Sequence, residues 1–219
     1  MSTNRIIQLI KAVCWRVKQE FGYVNKTKLI KYLYLIDIEY YRNHGKTFTE
    51  FPWVFYKFGP WAKEYDDIYD ELKKSPYFKI KLSDSEDYDT EWISTSEETD
   101  FDSIFDDIDD VLISRRITKR WATEKVGEML NYVYFYTEPM IDAKRYESLD
   151  FSKIKPEKDL VYKRMDSGVS KEEIQIAREK FKQFKMEKNN RKKITSLPKP
   201  RYDDVYWEAV KIMEDDKEY

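Results

Sequence analysis

Four carboxylates lie close together in the chain and have the chemistry to hold a Mg²⁺ ion or to share the acid and base steps of a hydrolysis. They are Asp106, Asp107, Asp109 and Asp110. They alternate with Phe105, Ile108 and Val111 as the polar face of an amphipathic helix does, and the segment has no Lys or His to complete a nuclease-like site. The pattern favours a solvated helix face, with an acid-dependent phosphodiesterase as a third interpretation.

One further carboxylate, Asp37, falls on the apolar side of a predicted helix. It lies four residues after Leu33 and three before Tyr40, which places it on or beside the buried stripe. Because a buried carboxylate is costly unless it is paired or hydrogen-bonded, we expect a Lys, Arg, Tyr or backbone partner close to it. A structural role as a hydrogen-bond acceptor is favoured over direct contact with a ligand, and both stay open.

The densest aromatic stretch of the chain runs over residues 51–61. An extended strand points alternate residues to opposite faces, and here both faces carry large apolar side chains. Such a strand packs between two layers. We therefore interpret Val54, Tyr56 and Phe58 as core residues.

The end of this stretch is predicted to form a corner between the strand and the next helix. We expect Trp53, Trp61 and Tyr65 to reach the surface there and to bind a protein partner. Gly59 and Pro60 do not form a phosphate-binding loop, because one glycine is too few and proline lacks an N–H donor. The corner is thus a candidate contact surface for a polypeptide.

A basic stripe is the alternative binding element. Residues 178–201 contain ten Lys and Arg against two Glu, whereas residues 84–110 contain thirteen Asp and Glu and no Lys or Arg. Three- and four-residue steps would gather one set of cations on a single helix face: Arg178, Lys182, Lys185, Lys188 and Lys192. This stripe is a possible nucleic-acid-binding site, although no base-reading motif accompanies it.

Composition restricts the other function classes. The 219 residues include one cysteine, Cys14, and one histidine, His44, so a disulfide, a zinc site or a histidine-dependent triad is not expected, and we predict no metal and no cofactor. The apolar fraction of 41% supports a packed core. No apolar run is long enough to span a membrane, and the N-terminus lacks the apolar block of a signal peptide, so a cytoplasmic protein is expected.

The periodicity predicts a mainly α-helical fold with a small β element. Two helices are predicted first, one ending before Gly22 and one between the cap residue Asn25 and Gly45. Gly59 and Pro60 are predicted to end the aromatic strand and start the third helix. The remaining predictions are a hairpin of strands 77–82 and 92–95, a fourth helix over 101–112 and a fifth over 126–134 that Thr123 caps.

The pattern of apolar residues changes near Lys155 and Pro156, after which charged residues alternate with few apolar anchors. We therefore predict a compact helical domain over residues 1–155 and a charged helical C-terminal extension over 156–219. Ser170 and Glu173 form a possible capping box for a helix that runs to about residue 188. A last short helix is predicted over residues 202–213.

One stretch resembles a known family, the Panacea antitoxin domain, also described as SocA-like or GepA-like. A helix of the form KLxxLxYxxD is followed by a glycine turn, a strand, a Gly-Pro pair and an aromatic residue in the next helix. The matching positions are Lys28, Leu29, Leu33, Tyr34, Asp37, Gly45, Gly59, Pro60 and Tyr65. The resemblance covers about residues 6–72, is looser through 150, and leaves residues 156–219 outside.

The resemblance implies an antitoxin of a bacterial or phage toxin–antitoxin system that neutralises a toxin by direct protein binding and is not an enzyme. The implied partner is a protein toxin encoded by the adjacent gene, with Trp53, Trp61, Tyr65 and Asp37 as candidate contacts. The alternative from the residues themselves is a nucleic-acid-binding regulator that uses the basic stripe.

Overall fold

A computed structural model of the chain describes residues 3–82 and 90–155 together with Glu179, Asp204, Tyr206 and Trp207. Over the two described stretches it contains five α-helices and five short antiparallel strands, so the predicted mainly α fold with a small β element is confirmed. Residues 1–157 and 202–219 form one compact unit. Of the second unit, residues 158–201, only Glu179 is described, and it is helical and exposed.

The first two helices have the boundaries that the sequence predicts. Helix α1 spans Thr3–Glu20 and α2 spans Lys26–His44. The Asn25 side chain accepts a hydrogen bond from the Lys28 backbone N–H at 2.6 Å and so caps the start of α2. Gly45 ends α2 in the left-handed region, with φ of 68°, which a residue without a Cβ adopts at little cost.

The predicted hairpin is confirmed as strands β4, Phe78–Leu82, and β5, Glu91–Thr95, which pair antiparallel. A two-residue strand, β1 at Val24–Asn25, pairs with the other edge of β5 and gives the sheet order β1-β5-β4. Sequence periodicity did not reveal β1, because two residues are too few to show alternation. This sheet joins the turn between α1 and α2 to the later part of the chain.

The predicted aromatic strand over 51–58 is wrong in extent, and so is the predicted start of the third helix. The strand β2 is only Val54–Tyr56, and it turns back antiparallel onto β3, Gly59–Trp61. Gly59 and Pro60 therefore belong to a tight hairpin, because Gly59 adopts a φ of 91° and an edge strand tolerates proline. The third helix, α3, begins later and spans Lys63–Lys74.

The fourth predicted helix is also shifted. Residues Phe101–Ser103 form a separate 3-10 turn, and α4 spans Ile108–Ala122. The break occurs because the Asp107 side chain accepts from the Asp109 backbone N–H at 2.9 Å and starts a new helix. As a result Ile108 is exposed instead of belonging to a buried stripe.

The fifth helix, α5, spans Val126–Tyr136 and is followed by the 3-10 turns Glu138–Met140 and Phe151–Lys153. The prediction that Thr123 caps α5 is wrong, since Thr123 ends α4 and Lys125 occupies the N-cap position of α5. None of the helices in the described part of the chain is long and apolar enough to cross a membrane.

Helix α2 is the centre of the core. It packs against α1, α4 and α5, and its residues 28–38 are all buried. The largest aromatic side chains with almost no exposed surface are Tyr32, Tyr34, Tyr65, Tyr69, Phe48 and Phe101. A helix buried on all sides must satisfy its polar side chains internally, and α2 carries several of them.

One residue of the C-terminal segment packs on α5. The Tyr206 side chain is buried against Leu130, with Phe58 beside it, and its hydroxyl donates to the Asn131 side-chain oxygen. Of the last predicted helix, the described residues Asp204, Tyr206 and Trp207 are helical. Of the helix predicted from Ser170 to about residue 188, Glu179 is described and is helical, and the other residues lie outside the described part. The boundary at 155 stays a prediction.

Candidate functional site

Four buried polar residues of α2 follow one another at three-residue intervals: Lys28, Lys31, Tyr34 and Asp37. A helix has 3.6 residues per turn, so each three-residue step falls about 60° short of a full turn. The four side chains therefore spiral around about half of the helix, and each meets a different neighbouring element. Three of the four are family-motif positions, and the structure gives each of them a local role.

Lys28 joins the start of α2 to the corner between α4 and α5. Its ammonium group donates to the backbone oxygens of Ala122 at 3.3 Å and Glu124 at 2.9 Å. These carbonyls lie at the C-terminal end of α4, where the helix dipole favours a cation. Burial nevertheless lowers the pKa of Lys28 to about 8, with the Glu124 charge opposing the shift.

Tyr34 joins the middle of α2 to the end of α5. Its hydroxyl lies 3.1 Å from the Thr137 Oγ1 atom, and that threonine hydroxyl donates to the Val133 backbone oxygen at 2.6 Å. Because the threonine proton is used in that bond, Tyr34 is the donor to Thr137. The Trp53 ring lies edge-on to Tyr34, with centroids 5.3 Å apart.

Asp37 is a structural clamp. Its carboxylate accepts from the Thr49 backbone N–H at 2.8 Å, from the Thr49 hydroxyl, and from the Trp53 indole N–H at 2.7 Å. Burial raises the pKa of Asp37 to about 6, and these hydrogen bonds oppose the shift. The favoured interpretation as a hydrogen-bond acceptor agrees with this geometry, whereas contact with a partner does not, because Asp37 has no exposed surface.

Lys31 differs from these three residues in having a single hydrogen bond. Its ammonium group donates to the Pro60 backbone oxygen at 2.8 Å. Within the described stretches no carboxylate lies at ion-pair distance from it, although the side chain is only 2% exposed. Burial alone lowers the pKa of Lys31 to about 7.

The backbone at Gly59, the first residue of β3, has little space around it because two side chains approach it. A Cβ atom at Gly59 would lie 2.9 Å from Cε2 of Tyr134 and 3.6 Å from the Lys31 ammonium nitrogen. Only glycine provides this space and also adopts the positive φ without strain. The Gly-Pro pair of the motif therefore builds the acceptor for Lys31.

The β2–β3 hairpin, the start of α2 and the start of α3 enclose a surface groove of about 200 Å³, here called the hairpin groove. Most of its lining is apolar or aromatic, and Lys31 lies in it. The lining residues are Lys26, Thr27, Ile30, Lys31, Tyr56, Phe58, Gly59, Trp61, Tyr65 and Asp66.

Trp61 forms one wall of the hairpin groove and is half-buried. Its ring lies 5.0 Å from the ring of Tyr56, and its indole N–H donates to the Asp66 carboxylate at 3.2 Å. Lys26 pairs with the same carboxylate at 3.0 Å, so the charges at the rim neutralise each other. Lys31 is the cation of the groove without such a partner.

The expectation that Trp53 and Tyr65 reach the surface is wrong. Trp53 is 2% exposed because it donates to Asp37, and Tyr65 is 1% exposed because its hydroxyl donates to the Lys26 backbone oxygen at 2.9 Å. Tyr56, which the sequence suggested as core, is 39% exposed. The β2–β3 hairpin explains why Tyr56 is exposed, since it turns the outer face of β2 to solvent.

The acidic cluster of α4 is partly structural. Asp107 caps the helix, and Asp110 is buried while it binds His44 at 2.7 Å and the Asn43 amide at 3.2 Å. The solvated-face interpretation is therefore wrong for Asp110. One ligand atom each from His44, Asp107 and Asp110 lies within 4.8 Å of the others, so this group is a possible cation site whose acids already have hydrogen-bond partners.

A second groove, which the sequence did not reveal, lies between α1 and α4. It has a volume of about 270 Å³ and is lined by Arg16, Gln19, Glu20, Arg115, Arg116 and Lys119. Two of its cations, Arg16 and Arg115, bind the Asp100 carboxylate at 2.6 and 2.7 Å. We call it the basic groove. The predicted basic stripe from Arg178 to Lys192 lies outside the described residues.

The motif residues form buried hydrogen bonds, and these bonds position the β2–β3 hairpin. Together they define the class of protein. That class is a small helical module whose motif residues build a core and one aromatic groove. The family described as "Antitoxin SocA-like, Panacea domain" matches residues 29–192, about three quarters of the chain, and the chain belongs to this family. No curated protein and no solved structure matches the chain.

The extent of the match corrects one expectation. The sequence motif placed residues 156–219 outside the family, whereas the family match continues to residue 192. It therefore includes most of the charged segment that follows the compact helices. The resemblance itself is confirmed.

Proposed function

We propose that the protein is an antitoxin that neutralises a protein toxin by direct binding and that it catalyses no reaction. The observation that carries this proposal is the family match over residues 29–192. The toxin is the product of the adjacent gene, and neutralisation is steric, because the bound antitoxin covers the working surface of the toxin. The complex forms in the cytoplasm.

The use of the motif residues supports a binding role. Lys28, Tyr34 and Asp37 make contacts between elements, which supports a motif that maintains the fold rather than one that assembles a catalytic set. In the described part of the chain the two buried carboxylates, Asp37 and Asp110, both accept hydrogen bonds from neighbouring side chains. These contacts support recognition over catalysis.

The hairpin groove is the contact surface that we propose. It combines the exposed ring of Tyr56, the half-buried ring of Trp61 and a buried cation, and aromatic anchors of this kind dominate protein–protein affinity. Tyr146, 64% exposed, extends the aromatic surface beside Tyr56, with ring centroids 5.7 Å apart. The acidic segment 84–110 and the basic segment 178–201 steer the approach of the toxin.

Nucleic-acid binding is the second candidate, and the basic groove favours it. Arg116 and Lys119 extend the cationic surface of this groove beyond the two arginines that bind Asp100. The C-terminal segment separately carries the predicted basic stripe in its sequence. Binding of DNA or RNA with a steep salt dependence, lost on truncation at Pro156, would support it. In that case the family relationship would concern the fold more than the partner.

Co-expression tests the proposed antitoxin function. The product of the adjacent reading frame is induced alone, with the wild-type chain, and with a Tyr56→Ala/Trp61→Ala double variant, while growth and co-purification are measured. The account predicts arrest by the neighbour alone, rescue and a complex with the wild type, and weaker rescue with the double variant. A neighbour that is harmless alone and forms no complex would contradict the proposal.

A further inference from the structure

We propose that the hairpin groove binds an acidic side chain, Asp or Glu, of the toxin, and that Lys31 is its ion-pair partner. This inference rests on the proposed antitoxin function and names the chemistry that the groove recognises. It concerns a residue that neither the motif comparison nor the sequence singled out.

The first argument is the unfilled hydrogen-bonding capacity of Lys31. A lysine ammonium group carries three N–H donors, and the Pro60 oxygen uses one of them. Lys28, three residues earlier and also buried, donates to two backbone oxygens at the end of a helix. Buried cations are normally paired or fully hydrogen-bonded, so Lys31 lacks a partner that a bound carboxylate would supply.

The second argument is the shape of the hairpin groove. Its volume of about 200 Å³ and its mostly apolar lining suit a short aliphatic stem, and Lys31 is one of the residues that line it. Its lining includes the aromatic residues Tyr56 and Trp61 and the aliphatic residue Ile30 of α2. An Asp or Glu side chain fits this description, because it consists of one or two methylene groups followed by a carboxylate.

The third argument distinguishes a side chain from a chain terminus. Pockets for a C-terminal carboxylate use runs of backbone N–H groups. The residue that faces Lys31 here is Pro60, which has no N–H, and it offers Lys31 its oxygen instead. Pro60 therefore adds no backbone N–H beside the lysine, and an acidic side chain on a partner surface needs no such run of N–H groups.

The fourth argument is charge balance around the groove. The other charges of its lining, Lys26 and Asp66, pair with each other at 3.0 Å. An incoming carboxylate therefore meets one unpaired cation in a mostly apolar site. A neutral side chain in the same place would leave Lys31 without compensation, so the site discriminates by charge.

A double-mutant cycle tests the pair. The affinity of the purified product of the adjacent reading frame is measured for the wild type, for Lys31→Met, and for Lys46→Met, which makes the same change at an exposed site at the other end of α2. Each Asp and Glu of the toxin is changed in turn to Asn or Gln and titrated against the wild type and Lys31→Met.

We expect Lys31→Met to weaken binding at least tenfold and Lys46→Met to change it less than twofold. One acidic substitution in the toxin should cause a similar loss with the wild type and no further loss with Lys31→Met. If no acidic position of the toxin is coupled to Lys31, the proposal is overturned, even when the toxin binds.

Proton uptake provides a second measurement on the wild-type protein, in case Lys31→Met folds poorly. Burial lowers the pKa of Lys31 to about 7, so much of this amine is neutral at pH 8, and pairing with a carboxylate would protonate it. The titratable and charged groups nearest to it in the groove are Lys26, Asp66 and the hydroxyls of Tyr56 and Tyr65, with Tyr134 behind the hairpin.

Calorimetry at pH 8 in buffers of different ionisation enthalpy should show uptake of most of one proton on binding, and the uptake should be absent in Lys31→Met. Equal heats in all buffers with the wild type would overturn the proposal. A wild type that neither binds nor rescues would refute the antitoxin function itself. A wild type that binds without coupling or proton uptake would refute only the role of Lys31.

Discussion

Two buried ionisable side chains on one helix have opposite environments. Asp37 accepts three hydrogen bonds from the 49–53 segment, whereas Lys31, less than two turns earlier, donates one and lies against an open groove. A charge that the fold satisfies completely serves the fold. A charge that the fold satisfies only in part is available to a partner. This contrast distinguishes Asp37, a structural motif residue, from Lys31, which lines the hairpin groove.

The largest expected loss of stability is that of Asp37→Ala. Asp37→Ala leaves the Thr49 N–H, the Thr49 hydroxyl and the Trp53 indole without an acceptor in a buried site. We expect it to lower the free energy of unfolding by about 3–5 kcal/mol. Urea unfolding at pH 7 measures this.

The contrast requires the opposite outcome at Lys31. Lys31→Met removes a buried amine that has one hydrogen bond, so at pH 7 and below we expect it to be neutral or stabilising. A loss as large as that of Asp37→Ala would show that Lys31 is also a structural residue, and the comparison would fail.

The next effect is the pH dependence of stability. Burial lowers the pKa of Lys31 from 10.5 to about 7, so between these values the unfolded chain binds more protons than the native protein. The contribution of Lys31 to the free energy of unfolding therefore rises as pH increases from 7 to 10.5. The rise between pH 7 and 9 is about 2–3 kcal/mol. Urea unfolding of wild type and Lys31→Met at several pH values should show a rise that the variant lacks.

Asp37 gives the reverse sign in an acidic window. Burial raises the pKa of Asp37 from 3.8 to about 6, so the native protein binds more protons than the unfolded chain between these values. Its contribution to stability falls as pH increases from 3.8 to 6, by about 2 kcal/mol. Asp37→Asn should remove this slope, and an unchanged slope would mean that other acids cause it.

A smaller effect is expected at the hairpin that carries the acceptor of Lys31. Gly59→Ala introduces a Cβ at positive φ and within 2.9 Å of the Tyr134 ring, whereas Gly22→Ala introduces one at a φ of 102° with nothing within 4 Å. Both variants are strained, but only the first meets an atom. We expect Gly59→Ala to cost about 1–2 kcal/mol more than Gly22→Ala in thermal unfolding, and equal costs would refute the close packing.

The smallest effect is expected at Tyr34. Tyr34→Phe removes a donor to Thr137 Oγ1, but that threonine keeps its own bond to the Val133 oxygen. The expected loss of stability is about 1 kcal/mol, the value of one hydrogen bond. A loss above about 3 kcal/mol would show that the tyrosine hydroxyl holds the end of α5 in place.

The sequence predicted those features that depend on neighbouring residues. Asn25 and Gly45 mark the ends of α2 because caps act through the backbone next to them. The sequence did not predict the break before α4 or the β2–β3 hairpin. The break depends on the Asp107 cap and the hairpin on the positive φ of Gly59, and the spacing of apolar residues shows neither. The proline after Gly59 suggested the start of a helix, but Pro60 lies in strand β3 and α3 begins at Lys63.

The site was harder to predict than the fold. Helical spacing placed Asp37 on the buried side of α2, but its partners Thr49 and Trp53 are brought close by tertiary contacts. Lys31 had one available signal, which is that a lysine lies inside the apolar stripe of α2. Its lack of a carboxylate could be seen only when the surrounding elements were placed.

Hydrogen–deuterium exchange of the chain with and without the purified toxin tests the central claim most directly, because it locates the contact surface without any substitution. The account predicts protection concentrated at the start of α2, over residues 26–31, and at the hairpin and start of α3, over residues 54–66. Protection confined to α1 and α4 around the basic groove, or none at all, would contradict it.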